Sequence, residues 1–463
     1  MGRGRTAQAH ASHPGRKITE MLLAKADSII KADYVLKMDR AFTLIRNGAV
    51  AVKDKKIVFV GTEEEVTEKY TSDTIIGGPG KVAFPGLINT HTHAAMVYFR
   101  GLADDMPLKV WLEEYIWPAE EKWLSPEFVA DAVKLACLEM LKAGTTLFSD
   151  MYFYGDAVAA SAKMSGMRAI VGAGILDFPS KTAKTADEYF SNAEKFIRDW
   201  VGDELIVPGI APHSPYACSP ETMIRAGELS KKYRVPMHLH LSETAWEISE
   251  VTKRYGKKPV ALLESLGALD DNVVAAHCVW VDDEEIEILA SRNVGVAHCI
   301  ESNLKLASGI APVVKMLKAG VKVTFGTDGA ASNNDLDLLS EMSTAAKIHK
   351  AASEDPTALN AKQVLLMATR WGAEALGLGN ITGSIEEGKA ADIVLADLSK
   401  PHLLPLYDIY SHIVYSMKSS DIETVLINGK VVLNNGKLTT ADESEILEKA
   451  REWGAKISSA DTR

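Results

Sequence analysis

The chain has 463 residues, 47% of them apolar and 24% charged, which suits a globular protein large enough for a barrel plus a smaller satellite domain. Its 51 basic and 62 acidic residues leave a net charge of -11 with no basic stripe, which excludes the usual nucleic-acid footprint. No apolar run approaches the roughly 20 residues that span a bilayer, and the four cysteines, Cys137, Cys218, Cys278 and Cys299, lack CxxC spacing and read as reduced thiols of a cytoplasmic protein.

Residues 1–20, "MGRGRTAQAHASHPGRKITE", are basic but lack the apolar centre of a secretory signal, so they read as an extension outside the fold, His10 and His13 included. Residues 21–80 alternate short apolar runs with turns, the pattern of strands and hairpins. The same pattern returns over 385–440, where "INGK" and "NNGK" carry the Asn-Gly hairpin signal. The two portions are expected to pair into one small β-sandwich domain, because chain termini commonly lie close together. Residues 441–463 are expected to form a C-terminal helix.

Between them, over 81–384, eight β-rich runs alternate with helical stretches. The runs are "KVAFPGLIN", "TTLFSDM", "RAIVGAGI", "LIVPGIAPHS", "PMHLHLSE", "NVVAAHCVW", "NVGVAHCI" and "KVTFGTD". Helical stretches such as "SPEFVADAVKLACLEMLKAG" and "SPETMIRAGELSKKY" open at Ser-Pro, a helix-start signal. Strict alternation implies a parallel sheet, and eight units imply a closed (β/α)₈ TIM barrel of the α/β class. The segment 94–125 is expected to be an outsized loop, and loops of that length are usually functional.

The polar residues cluster at the ends of these strands, where barrels of this kind carry their chemistry. His91 and His93 end the first strand, and residues i and i+2 of a strand face the same side, so both imidazoles can grip one ion. His240 and Asp328 are the best candidates to complete a three-histidine, one-carboxylate set with room for water. Zinc lowers the pKa of a bound water towards about 7. Glu243, three residues beyond His240, reaches such a water only if the strand stops near Leu241 and the chain turns inward; otherwise it opens the next helix as a surface carboxylate. In the first case it carries protons between water and substrate. His277 is placed to hydrogen-bond the attacking oxygen, and Asp328 to take the water's proton as well as ligate. His238 shares the facing of His240 one layer deeper and reads as structural. His298 stays open between a core role and a place on a substrate-side loop. Cys278 and Cys299 should face the helices as small core residues.

At this point "PGLINTHTH", "HLHLSE", "AHC", "ESNLKLASG" and "GTDGAASNNDLD" together resemble the amidohydrolase superfamily, and most nearly its 5-methylthioadenosine/S-adenosylhomocysteine deaminase branch, over about residues 21–440. The resemblance implies one divalent metal, zinc before iron, held by His91, His93, His240 and Asp328. Strand four ends in "IAPHSP" without the bridging Lys or Glu of two-metal relatives, which supports a single ion. It also implies that Glu120 binds a ribose and that Arg168 and His213 contact the substrate alongside Glu243. A carboxylate suits a pair of sugar hydroxyls, since it offers two acceptor oxygens. Trp111 and Trp117 would cap an adenine or only anchor their loop. Ile300 departs from a proline common in related sequences, which puts the loop after strand seven, and substrate range, in doubt.

The implied activity is hydrolytic deamination of S-adenosylhomocysteine, 5′-methylthioadenosine or adenosine to the inosine analogue and ammonia. Partners are then a small nucleoside, no nucleic acid, no membrane, and a second copy of the chain as a possible homo-oligomer. Two other readings stand beside it: a triazine chloro- or aminohydrolase or another ring deaminase with the same machinery, and a non-catalytic scaffold on the same fold. Glu120 favours nucleosides over bare rings. An aligned ligand set with Glu243 and His277 argues against a scaffold.

Overall fold

In the computed structural model, which describes residues 23–461, eight parallel strands follow one another in chain order around a barrel. They are β1 (Leu87–Thr92), β2 (Thr145–Tyr152), β3 (Arg168–Ile175), β4 (Ile206–Pro212), β5 (Met237–Leu241), β6 (Val273–His277), β7 (Gly295–His298) and β8 (Lys322–Phe325). The extension at 1–20 lies outside the described residues. Every residue of β2 is buried, the mark of a parallel strand covered on both faces. Strand β8 returns to β1, where the Asp328 N–H donates to the His91 carbonyl (3.0 Å) and the Thr90 hydroxyl to the Phe325 carbonyl (2.9 Å). Gly326 permits this approach, because a Cβ there would stand 2.7 Å from that of His91.

The Ser-Pro helix starts are as expected. Ser125 and Ser219 accept the N–H groups of Phe128 (3.1 Å) and Thr222 (3.3 Å), with Pro126 and Pro220 opening the helices. Among the described residues no helix is long and apolar enough to cross a membrane.

The two ends of the chain share one eight-stranded sheet. Its N-terminal part is built from Ser28–Leu36, Leu44–Lys53, Lys56–Thr62 and Ile75–Pro85. Ile75–Pro85 then pairs antiparallel with Ile393–Asp397, which continues to Ile422–Ile427 and the hairpin beyond. Ile30, Val50, Ile393 and Leu426 pack together as a core separate from that of the barrel.

Two sequence expectations need revision. "KVAFPGLIN" is two strands: its first half belongs to the satellite sheet through Pro85, and the barrel begins at Leu87. The break falls at Gly86, where a Cβ would sit 1.9 Å from the Thr146 hydroxyl oxygen. The segment 94–125 is mostly helical rather than an open loop, with a 3₁₀ turn over Ala94–Phe99, a π-helical stretch over Trp111–Ile116 and an α-helix over Trp117–Trp123. Trp111 and Ile116 are buried, and the Trp111 indole N–H donates to the Ala103 carbonyl (3.0 Å), so packing fixes the segment.

Candidate active site

Four predicted ligand side chains meet at the C-terminal mouth of the barrel. His93 Nε2 lies 3.2 Å from His240 Nε2 and 3.2 Å from Asp328 Oδ1, and His91 Nε2 lies 3.4 Å from the same oxygen. Ligand atoms about 2.1 Å from a tetrahedral centre stand about 3.4 Å apart, so these spacings fit one ion. The other ring nitrogens are already engaged. His93 Nδ1 faces the Met151 carbonyl (2.6 Å), His240 Nδ1 the His213 carbonyl (3.0 Å) and His91 Nδ1 the His238 ring (2.8 Å). Carbonyls only accept, so His93 and His240 each carry hydrogen on Nδ1 and turn Nε2 inward. The buried His91 Nε2 has no hydrogen-bond partner. An orphaned nitrogen beside two inward Nε2 atoms and a carboxylate is a donor set that fits a divalent cation.

Burial is the largest influence on His91 and holds it down to about 4. Burial likewise pushes the Asp328 carboxyl upward, but hydrogen bonds and charge from His91 and His93 outweigh it and hold it well below its usual range. Against its own burial His93 is raised in return to about 9, so a cation binding there would displace the Nε2 proton and free that lone pair. Asp328 Oδ2 accepts the hydroxyls of Ser302 (2.7 Å) and Ser332 (3.0 Å). His238 is the structural residue expected, one layer down, linking His91 to the Ser149 hydroxyl (3.2 Å from Nδ1).

Glu243 turns inward. It is buried, lines the cavity, and has Oε2 3.9 Å from His277 Nε2 and Oε1 3.5 Å from the Ser308 hydroxyl. Burial raises its carboxyl above the ordinary range. His277 ends β6 with φ +75°, and its Nδ1 lies 2.9 Å from the Asn303 amide oxygen, which places the ring hydrogen there and leaves Nε2 facing the site. Cys278 and Cys299 are buried, and none of the four cysteines is disulfide-bonded.

A cavity of about 820 Å³ opens over these groups. Glu120, on the helix Trp117–Trp123, points into it and accepts the Tyr152 hydroxyl (2.6 Å). Burial pushes the Glu120 carboxyl up to about 7, against the opposing pull of that hydroxyl. His213 lines the same cavity, with its ring centroid 4.6 Å from that of His240; burial holds it down to about 3, so it is neutral. Trp111 and Trp117 both line the wall, Trp111 buried and Trp117 exposed at the mouth.

Arg168 is elsewhere, and the expectation that it touches substrate is corrected. It opens β3, at the end of the barrel away from the mouth, and its buried guanidinium donates to both oxygens of buried Asp392 (3.1 and 3.3 Å) and to the Glu204 carbonyl (2.9 Å). It ties the barrel floor to the satellite sheet. Arg168→Ala should therefore cost about 3–5 kcal/mol of stability, because it strands the Asp392 charge. The folded enzyme should keep its kcat/KM within about twofold; denaturant unfolding and steady-state kinetics check both. His298 also lies off the cavity, paired with His349 through their Nε2 atoms (2.9 Å). Ile300 is the first residue of the helix Ile300–Lys305, a position that suits a proline as well.

Sequence reasoning passed over Tyr152, Asn303, Ser302 and Ser332. Tyr152 ends β2, a position that the strand-end rule marks; the other three show no periodic signal.

A family model described as "Amidohydrolase family" matches residues 82–432. The chain is 55% identical to a 5-methylthioadenosine/S-adenosylhomocysteine deaminase of Thermodesulfovibrio yellowstonii, over 93% of its own length and 98% of the relative's. It is 47% identical to a 5′-deoxyadenosine deaminase of Methanosarcina acetivorans, over 92% and 97% of the two lengths. Its backbone superposes with a TM-score of 0.93 on the crystal structure of a zinc-bound adenosine deaminase from Xanthomonas campestris, at 41% identity, covering 95% of this chain and all of that one. Fold, strand-end chemistry and these likenesses agree: the chain belongs to the amidohydrolase family.

Proposed function

We propose that this protein hydrolytically removes the 6-amino group of an adenine nucleoside, giving the inosine analogue and ammonia. The substrates proposed are S-adenosylhomocysteine, 5′-methylthioadenosine and adenosine. The observation that carries the reading is one cavity holding a three-imidazole, one-carboxylate ligand set, the Glu243–His277 pair and the buried Glu120 carboxylate. His91, His93, His240 and Asp328 would hold one divalent cation, zinc before iron, which supplies activation of water at neutral pH.

The chain's own groups do the rest. Glu243, its carboxyl raised by burial, delivers a proton to the purine ring nitrogen, so negative charge does not build on the ring as oxygen adds to C6. His277 Nε2 accepts a hydrogen bond from the attacking oxygen, and Asp328 takes its proton. A C–O bond forms at C6, and Asp328 passes the proton it took to the departing amine. The C6–N bond breaks to release ammonia, and the remaining hydroxyl proton returns to Glu243 as the 6-oxo product forms. Glu120 and His213 hold the nucleoside, with Glu120 on the ribose hydroxyls. The four unbridged cysteines support a cytoplasmic setting.

Incubating the metal-loaded protein with the three nucleosides and measuring ammonia together with the ultraviolet change tests the reading; no turnover of any of them rejects it. Glu120→Ala should raise KM for nucleosides by about tenfold or more, because it removes charge-assisted hydrogen bonds, and leave ribose-free adenine unaffected. The pH dependence follows with a definite sign. Above about 7 the ionised Glu120 offers both oxygens to the sugar; below it the protonated group has one acceptor fewer. KM for nucleosides should therefore rise as pH falls from 8 to 6, and Glu120→Ala should flatten that rise.

A further inference from the structure

The direction in which Glu243 points is not set by its strand. His238 and His240 face one side of β5, and continued alternation would send Glu243 to the other. The chain instead leaves the strand at Ser242, whose φ is +53°, in the left-handed region that residues with a Cβ seldom occupy. A corner of that kind needs to be held.

Five residues along, one side chain holds it. The Glu247 carboxylate, 1% exposed, accepts the Ser242 N–H at Oε1 (2.9 Å) and the Glu243 N–H at Oε2 (2.8 Å). On the other side, the Ser242 carbonyl accepts the Trp280 N–H (2.8 Å). Glu247 sits in the first turn of the helix Ala245–Tyr255, three residues after the N-cap Thr244. That spacing is the signature of a capping box, in which the glutamate would reach back to the N–H of the cap residue itself. Here only half the box forms: Thr244 accepts the Glu247 N–H (3.2 Å), while the carboxylate passes over Thr244 to the two residues before it. Among the described residues Glu247 makes no ion pair. A buried polar group is costly unless it is hydrogen-bonded, and this one spends both oxygens on the backbone of the corner.

We propose that Glu247 is a positioning residue for the reaction: a two-pronged clamp on Ser242 and Glu243 that aims the Glu243 carboxyl into the cavity. The proposal rests on the reading of Glu243 as the proton carrier. Burial raises the Glu247 carboxyl to about 8 against the pull of the two N–H groups, and its planar fork holds both of them at once. An amide in its place keeps one acceptor and presents an N–H to the other N–H. The corner then loosens at the residue whose side chain must meet the ring nitrogen, a step sensitive to displacements of an ångström.

The test is a double-mutant cycle on the metal-loaded full chain, with ammonia release as the assay. Glu247→Gln should lower kcat about tenfold or more, change KM less than about twofold, and leave metal content unchanged. In a Glu243→Gln background the same change should lower the residual kcat less than about twofold, because there is no longer a proton carrier to misplace. Amide hydrogen exchange at residues 242 and 243 should speed up in Glu247→Gln. If Glu247→Gln folds poorly, Glu247→Asp, which keeps the carboxyl group on a shorter stem, should show the same split between kcat and KM. An unchanged kcat in either variant, or an equal loss in both backgrounds, overturns the clamp. If Glu243→Gln alone left kcat intact, the reading of Glu243 would fall first, an outcome distinct from losing the clamp alone.

Discussion

Glu243→Gln lowers kcat for adenine nucleosides by about 10²–10⁴-fold while the protein keeps its fold and its metal. The substitution preserves volume in a buried position, so packing around Ser308 and His277 has no reason to change. It removes the one property the mechanism needs there, a carboxyl raised by burial that can give up a proton and take it back. An amide can still hydrogen-bond the ring nitrogen, so KM should move little. The pattern of low kcat with ordinary KM marks an interaction made only in the transition state. Steady-state kinetics with elemental analysis of the same preparation checks it; a loss below tenfold with metal retained would remove Glu243 from the proton path.

Chelation of the cation has the second large effect. Turnover should fall about 10³-fold or more and return on adding one equivalent of zinc per chain, since a Lewis acid contributes several kcal/mol and each 1.36 kcal/mol is a factor of ten. The apoprotein should stay folded but melt earlier, because an ion that binds only the native state stabilises it by mass action. Three imidazoles and one carboxylate are gathered within 3.4 Å of their neighbours, so losing the ion leaves buried lone pairs facing one another. Recovery with two equivalents but not one would contradict a single site. A chelator that lowers the melting temperature without touching turnover would fit a scaffold instead.

Much of this site was legible before any coordinates. His91, His93, His240 and Asp328 could be placed because a strand repeats every two residues and a barrel gathers its strand ends at one rim. Arg168 shows where that reasoning weakens. It belongs to a barrel strand, but to the wrong end of one: it is the first residue of β3, about 23 Å of strand from the mouth. Proximity in sequence to a barrel strand carries no information without the direction of the chain. Gly86 hides in a continuous apolar run, because the residues on either side of it, 82–85 and 87–92, are all buried and so look alike. The aim of Glu243 was undecidable for a different reason. It depends on a positive φ at Ser242, and no periodicity announces a corner that a side chain five residues away enforces.

The satellite sheet constrains how the protein can be made. Strand Ile75–Pro85 finds its N-terminal neighbour at once, but its other edge pairs with Ile393–Asp397, roughly 300 residues later. At ribosomal rates of about 5–20 residues per second, that edge waits some 15–60 seconds for its partner. Throughout that interval the nascent chain offers an open, apolar strand edge to anything nearby. Production at lower temperature or with added chaperone should therefore improve the soluble yield more than any change at the barrel mouth.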